Sequence, residues 1–342
     1  MRRLRMALTA ILLSLGLAPA AQAAGLPAGA WELYRQKFVT AEGRVVDDAN
    51  GGISHSESQG YGLLLACLAG DRGSFASILS FTRTELLIRD DGLAAWRWDP
   101  KTTPRVSDIN NASDGDLLIA EALACAGTRW SVPAYTNAAR QIARSLAKVA
   151  LLKRGGQTWL MPAAKGFSEQ DRPDGPVVNP SYWVFETFPV LAKLTDDQSW
   201  MQVQASGLKL LDDLAKRKTP AADWLSIRGE PKPAEGFPPQ FGYNALRIPL
   251  YLLRAGLADK QRLEPFRQAW ANGTAVIDVT NGKPVEPLPD AGYRILNAAM
   301  ACALDRTPIP AELKSFEPTL YYPSTLHLLA LSMLSERYPQ CM

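Results

Sequence analysis

Apolar residues recur at three- and four-residue spacing along most of the chain, and each such stretch gives way to a break rich in Gly, Pro, Asn or Asp. That period lays an apolar stripe along one side of an α-helix. It predicts helices near 58–69, 73–88, 114–127, 131–152, 181–194, 199–217, 241–257, 260–273, 290–303 and 323–336. The alternation expected of strands is scarce. Its clearest examples are Trp96-Arg97-Trp98 and Thr158-Trp159-Leu160-Met161, which read as short ribbons inside loops. The long loops at 89–113, 153–180, 218–240, 274–289 and 304–322 fall evenly between helix pairs, and no proline- or serine-rich linker divides them. The expectation is one all-α domain over 24–342, a toroid of paired helices whose loops build a groove. Trp96, Trp98, Trp159, Trp183 and Trp224 stand in or beside those loops, where function is expected in a helical domain.

Residues 1–23 break the pattern. Arg2, Arg3 and Arg5 precede an apolar run from Met6 to Ala18, and Ala21-Gln22-Ala23 closes it as a small-x-small cleavage site. This is the form of a secretory signal peptide, and it predicts export to a periplasm or beyond the cell with no membrane span after cleavage. Over all 342 residues, 37 Lys and Arg face 34 Asp and Glu, and without the three leader arginines the balance is 34 against 34. A mature chain near neutrality lacks the basic footprint of a nucleic-acid binder, so a neutral partner is expected. Cys67, Cys125 and Cys302 lie inside apolar helical runs and are expected as small buried residues. Cys341 reaches Cys302 only if the carboxy terminus folds back. With two histidines, His55 and His327, and no Cys-x-x-Cys or His-x-x-x-His, no metal site is expected.

Two polar segments open helices. In Ser54-His55-Ser56-Glu57-Ser58-Gln59-Gly60-Tyr61-Gly62, the local reading is a cap, with Ser54 or Ser56 capping and Glu57 favouring the positive helix end. The alternative is an acid: a carboxyl flanked by Tyr61 and two glycines in a desolvated groove, its pKa raised so that it protonates a leaving oxygen. In Asn110-Asn111-Ala112-Ser113-Asp114-Gly115-Asp116, the two aspartates are two residues apart and point to different faces once helical, one free to cap and the other to enter a groove. Further oxygen ligands of a calcium loop are missing. His327 lies on an apolar helix and reads as a satisfied core histidine. Trp130, Trp200 and Trp270 follow helix periodicity as core.

Together these segments resemble glycoside hydrolase family 8, the inverting endo-glycosidases that include bacterial cellulases, and especially the endoglucanases encoded beside bacterial cellulose synthases. The resemblance runs over essentially the whole mature chain. It is carried by Ala112-Ser113-Asp114-Gly115-Asp116-Leu117-Leu118-Ile119-Ala120, by Ser56 to Gly62, by Asn179-Pro180-Ser181-Tyr182-Trp183, by Phe241 to Tyr251 and by Tyr321-Tyr322-Pro323-Ser324. It implies an (α/α)6 barrel of six inner and six outer helices. By motif position it implies Glu57 as general acid and Asp114 as the central carboxylate that grips a distorted sugar. Sugar contacts are expected from Trp96, Trp98, Asp99, Asp116, Tyr182, Tyr243, Asn244, Arg247 and Tyr322, because pyranose C–H faces stack on aromatic planes. Trp183 and Tyr321 are further candidates for stacking.

The chain departs from the family pattern at one position. Where the family usually has a base aspartate, Tyr243-Asn244-Ala245-Leu246-Arg247 carries Asn244, and a neutral amide cannot by itself take a proton from water. Asp99, Asp108, Asp116 and Asp290 stand as replacements, with Asp114 favoured on signature strength. Asn244 is then expected to position the water and Arg247 to orient the carboxylates. The resulting expectation is a secreted, monomeric endo-β-1,4-glucanase acting on β-1,4-glucan or cello-oligosaccharides with inversion and without a cofactor, and the resemblance implies a cellulose synthase complex as a further partner. The competing readings are a glucan-binding accessory that has lost turnover through Asn244, and a xylanase or chitosanase of the same family.

Overall fold

The computed structural model describes residues 25–342, and the segment read as a signal peptide lies outside them. Twelve α-helices follow one another among the described residues: α1 (Ala30–Phe38), α2 (Ser56–Ala69), α3 (Arg72–Phe81), α4 (Ser113–Arg129), α5 (Pro133–Ala150), α6 (Thr187–Thr195), α7 (Ser199–Lys216), α8 (Ile248–Ala255), α9 (Lys260–Ala269), α10 (Ala291–Asp305), α11 (Ala311–Lys314) and α12 (Tyr321–Arg337).

Burial sorts them into two layers. In α2 every residue from Ser58 to Cys67 is buried, and in α12 every residue from Pro323 to Leu334. Helices apolar on all sides are stable only when covered on all sides. In α5, by contrast, burial is confined to Ala139, Ile142, Ala143, Leu146 and Ala150, a single stripe at helical spacing. The even-numbered helices form the inner ring and the odd-numbered ones the outer. Within the ring α2 packs on α4, α4 on α6, α8 on α10, α10 on α12, and α12 returns to α2. Between α6 and α8, Arg254 of α8 donates to Glu186, the residue before α6, at 2.6 Å. This is the expected all-α (α/α)6 barrel.

The α2–α4 crossing is unusually close because glycines stand at it. A Cβ on Gly60 would come within 2.6 Å of the Leu118 Cβ, and one on Gly115 within 2.1 Å of Ser56 Oγ and 2.8 Å of Glu57 N. The same crossing corrects one expectation. Cys67 and Cys125 are not free core residues but a disulfide joining α2 to α4, with Cα atoms 6.4 Å apart. Helical periodicity marks both as buried and says nothing of which helix faces which. Cys302 and Cys341 also pair, the tail folding back so that the Cys341 carbonyl accepts Ile309 N–H at 2.9 Å.

Several helix limits differ from the periodic reading, each for a local reason. Residues 180–182 form a 3-10 turn, so α6 starts at Thr187, and Phe241 joins a strand instead of a helix. Leu151–Arg154 leaves α5 to pair antiparallel with Gln157–Leu160. Helix α1, absent from the reading, buries Trp31, Tyr34 and Phe38 over only nine residues. All strands are antiparallel and short, and two three-stranded ribbons, 177–178 with 225–226 and 232–233, and 240–241 with 275–278 and 284–287, stiffen the loops.

Replacing Cys67 and Cys125 by Ser should lower folding stability by about 2–4 kcal/mol, since the cross-link closes a loop with a sequence separation of 58. Urea unfolding should show an earlier midpoint; an unmoved midpoint would mean that the α2–α4 packing alone holds the crossing.

Candidate active site

The starts of α2, α4, α8 and α12 gather around one cleft of about 370 Å³. Each start is fixed by its own local chemistry. At α2 the cap is His55, not a serine: its Nδ1 accepts Ser58 N–H at 3.1 Å while Ser58 Oγ accepts His55 N–H at 3.0 Å. Its other ring nitrogen, Nε2, meets Asp47 at 3.3 Å. Pairing of Ser54 with Trp98 and of His55 with Arg97 draws the loop carrying Trp96 across the front of α2. At α4, Ser113 Oγ donates to the Met161 carbonyl at 2.7 Å, and Asp114 Oδ1 accepts the Gly115 N–H at 2.8 Å. At α8, a 3-10 turn over Ala245–Arg247 delivers Arg247 to the barrel axis.

Arg247 joins the two motifs that the sequence separates. Its Nη1 donates to Glu57 and its Nη2 to Asp114 at 2.8 Å, with a further 3.3 Å contact from Nη2 to Ser181 Oγ. The guanidinium is 1% exposed, Asp114 2% and Glu57 17%, so Glu57 is the carboxyl that faces the cleft. Beneath lie Tyr61, 3.4 Å from Nη1, and Tyr251, whose hydroxyl bonds that of Tyr61. The Tyr182 ring lies 5.6 Å from the guanidinium carbon.

The electrostatics invert one expectation. Burial works against ionised Glu57, but Arg247 and then His55 outweigh it and its pKa falls. Burial pushes Asp114 up to about 7, against Arg247 and with the help of the Glu57 charge. Both carboxyls lie on the same guanidinium, so they titrate as a coupled pair. Carboxyls held side by side on adjacent nitrogens of one guanidinium do not face each other across a water, as an inverting pair does at a separation of roughly 6.5–9.5 Å. Asp114 therefore supports Glu57 from the same side and is not placed to be the base.

Of the residues expected at the site, the cleft is lined by Glu57, Asp114, Trp96, Tyr182, Tyr243, Asn244, Arg247 and Tyr322. Tyr243 stands at the rim, its hydroxyl on Glu286 at 2.8 Å and its carbonyl accepting the Tyr322 hydroxyl at 2.6 Å. Three expected residues lie elsewhere. Trp98 turns its N–H to Glu85 at 2.8 Å, between the Arg44 and Arg105 guanidiniums. Asp99 closes its own loop on Lys101 N–H and Arg97. Asp116, on the other face of the helix from Asp114, is fully buried and receives Ala94 N–H and the Asn111 amide at 2.8 and 2.9 Å. Asp108 holds Trp96 Nε1, and neither it nor Asp290 lines the cleft. Trp183 and Tyr321 are core, and His327 is buried with Nε2 on the Leu313 carbonyl.

Trp224, noted in the sequence only as a loop tryptophan and not among the expected sugar contacts, lines the cleft, and Asp223 beside it was not singled out. Trp224 is stacked on both faces, by Phe167 at 5.2 Å and Phe237 at 4.6 Å, so it presents an edge to the cleft. No local motif marks either residue, because only the fold brings the loop before α8 back to the site. Among the described residues no three His, Cys, Asp or Glu side chains gather to hold a metal ion, and no helix is long and apolar enough to cross a membrane.

A helical barrel with a buried arginine between two carboxyls at the floor of an aromatic-edged cleft is the framework of a glycoside-cleaving enzyme. The chain belongs to the glycosyl hydrolases family 8, whose model matches residues 1–334. A protein of Novacetimonas hansenii described as a probable endoglucanase is 37% identical over 314 residues, covering 89% of this chain and 88% of that one. Among solved structures, the endo-β-1,4-glucanase CMCax of Acetobacter xylinum superposes with a TM-score of 0.79 at 35% identity, covering 93% of this chain and 99% of that one. A family 8 endo-β-1,4-glucanase from an Achatina fulica gut metagenomic library gives 0.80 at 32% identity, covering 90% and 98%.

The coupled pair gives a pH dependence with a definite sign. Asp114 is held above its ordinary value, so the folded state keeps a proton that the unfolded chain has lost, and this contribution to stability falls as pH rises from about 4 to about 7. Activity that needs the proton should be full below that upper value and lost above it. Measuring kcat/KM against pH should show an alkaline limb centred near 7, and a profile flat through neutrality would contradict the coupled pair.

Proposed function

We propose that the chain is an exported endo-β-1,4-glucanase that hydrolyses cellulose-like glucan with inversion of anomeric configuration. The observation that carries this reading is the Glu57–Arg247–Asp114 assembly opening into a cleft edged by Trp96, Tyr182, Tyr243 and Tyr322. Glu57 is the more exposed carboxyl and the one able to reach a glycosidic oxygen. Desolvation of the cleft by a glucan chain disfavours the Glu57 charge and draws the pair's proton onto it, so that it acts as general acid. Asp114, fixed by Gly115 N–H and Arg247, is left ionised beside the sugar, where its charge favours the oxocarbenium-like transition state.

Near-neutral charge suits a neutral glucan better than a polycationic chitosan. Export is supported by the leader pattern and by two disulfides, which persist in oxidising compartments. A role in trimming glucan beside a cellulose synthase rests on the resemblance to endoglucanases of that setting.

Glu57→Gln should lower reducing-end release from carboxymethylcellulose by about 10²–10⁴-fold while leaving the fold and oligosaccharide binding intact, because only protonation of the leaving oxygen is removed. Near wild-type release would defeat the assignment of Glu57, and an inactive wild type that still binds glucan would favour a binding accessory.

Proton NMR of the first product should show the α-anomer. Initial β-anomer would require a nucleophile in contact with the anomeric carbon.

A further inference from the structure

The assembly on Arg247 supplies an acid and leaves the attacking water without a base. The position at which the family usually carries its base holds Asn244, an amide that lines the cleft. Directly behind it stands Asp223, a carboxylate in the loop between α7 and α8. Pairing of the Asp223 N–H with the Gln240 carbonyl at 2.7 Å holds that loop against the turn entering α8. Asp223 Oδ1 accepts Gly242 N–H at 3.0 Å and Ala245 N–H at 2.8 Å, so one oxygen spans the turn that carries Asn244. The other lies where a Cβ on Gly242 would come within 2.7 Å. Asn244 lies between Gly242 and Ala245 in the turn, so its side chain leaves the backbone beside the same carboxylate. Among the described residues no lysine, arginine or histidine forms an ion pair with Asp223.

We propose that Asp223 makes Asn244 competent toward water and is the final acceptor of the water's proton, relayed through the Asn244 amide. This rests on the hydrolase reading above. A carboxylate accepts and does not donate, so the amide must turn its Nδ2–H toward Asp223 and present Oδ1 to the cleft. Oδ1 then receives a hydrogen bond from the attacking water.

As the water oxygen bonds the anomeric carbon, its proton passes to Oδ1 and an Nδ2 proton passes to Asp223. The amide becomes its neutral imidic acid tautomer. The glycosidic C–O bond breaks with its electron pair on the leaving oxygen, which takes the proton of Glu57. The carboxyls thus finish with one proton gained at Asp223 and one lost at Glu57, and exchange with solvent and reversal of the tautomer restore both. Burial raises the Asp223 pKa against the hydrogen bonds it accepts, which makes it a stronger proton acceptor than a solvated aspartate. In this scheme Asp223 is a positioning residue and proton terminus, and Asn244 alone of the two touches the water.

The test is an exchange of the two side chains in the full chain. Asp223→Asn keeps an oxygen for Gly242 and Ala245 N–H, so the turn and the melting temperature should be preserved while kcat falls about 10²–10⁴-fold with little change in KM. Adding Asn244→Asp to that variant places the carboxylate at the water itself and should return kcat to within about tenfold of wild type, with the acid limb of the pH profile displaced. A role confined to holding the turn predicts no such rescue. A folded double variant as slow as Asp223→Asn alone, or an Asp223→Asn variant with the wild-type kcat and pH profile, would overturn the relay. A wild-type chain that releases no reducing ends would overturn the hydrolase reading and the relay with it.

Discussion

One guanidinium organises the site. Arg247 is buried among two carboxyls, two tyrosines and a serine, and a buried charge is tolerated only when its desolvation is offset by close opposite charge and by hydrogen bonds. Glu57 and Asp114 provide that, and with one proton on the pair the three-group assembly is neutral overall. The same constraint acts in reverse: two carboxyls this close could not both remain ionised away from water unless a cation lay between them. The pKa of neither carboxyl is a property of its own helix, and each depends on a residue more than a hundred positions away in the chain.

That arrangement requires two helix starts to approach within side-chain contact. Glycine at 60 and 115 removes the atoms that would hold α2 and α4 apart, and the Cys67–Cys125 link secures the far ends of the same crossing. The barrel supplies the rest, since alternating inner and outer helices bring the starts of several inner helices to one face. Their partial positive ends then favour the acidic residues in the first turns of α2 and α4. Stability and chemistry are thus coupled at one spot: a change that loosens the crossing displaces the acid.

The cleft wall shows a second division of labour. Trp98 and Asp116 belong to the same motifs as Trp96 and Asp114, yet they serve the scaffold. Trp98 is pinned between two arginines, and Asp116 holds the backbone at Ala94. Each lies two residues from a cleft residue; in the helix that offset turns Asp116 to a different face from Asp114, while Trp98 is set by its own contacts with Glu85, Arg44 and Arg105. Motif membership alone does not distinguish them.

The amino-acid sequence by itself determined the helical class, the order and approximate span of the major helices, and the two polar segments that open α2 and α4, because these follow from period and from local capping chemistry. Glu57, Asp114 and Arg247 were legible through the family resemblance, each within a short motif. What only the tertiary structure decided are matters of distance between segments remote in the chain: that Cys67 faces Cys125, that Glu57 and Asp114 meet on one guanidinium instead of flanking a water, and that Asp223 stands behind the turn carrying Asn244. Local patterns report which side of an element is buried. They are silent on which residue of another element lies opposite, and in this cleft that opposition sets every protonation state.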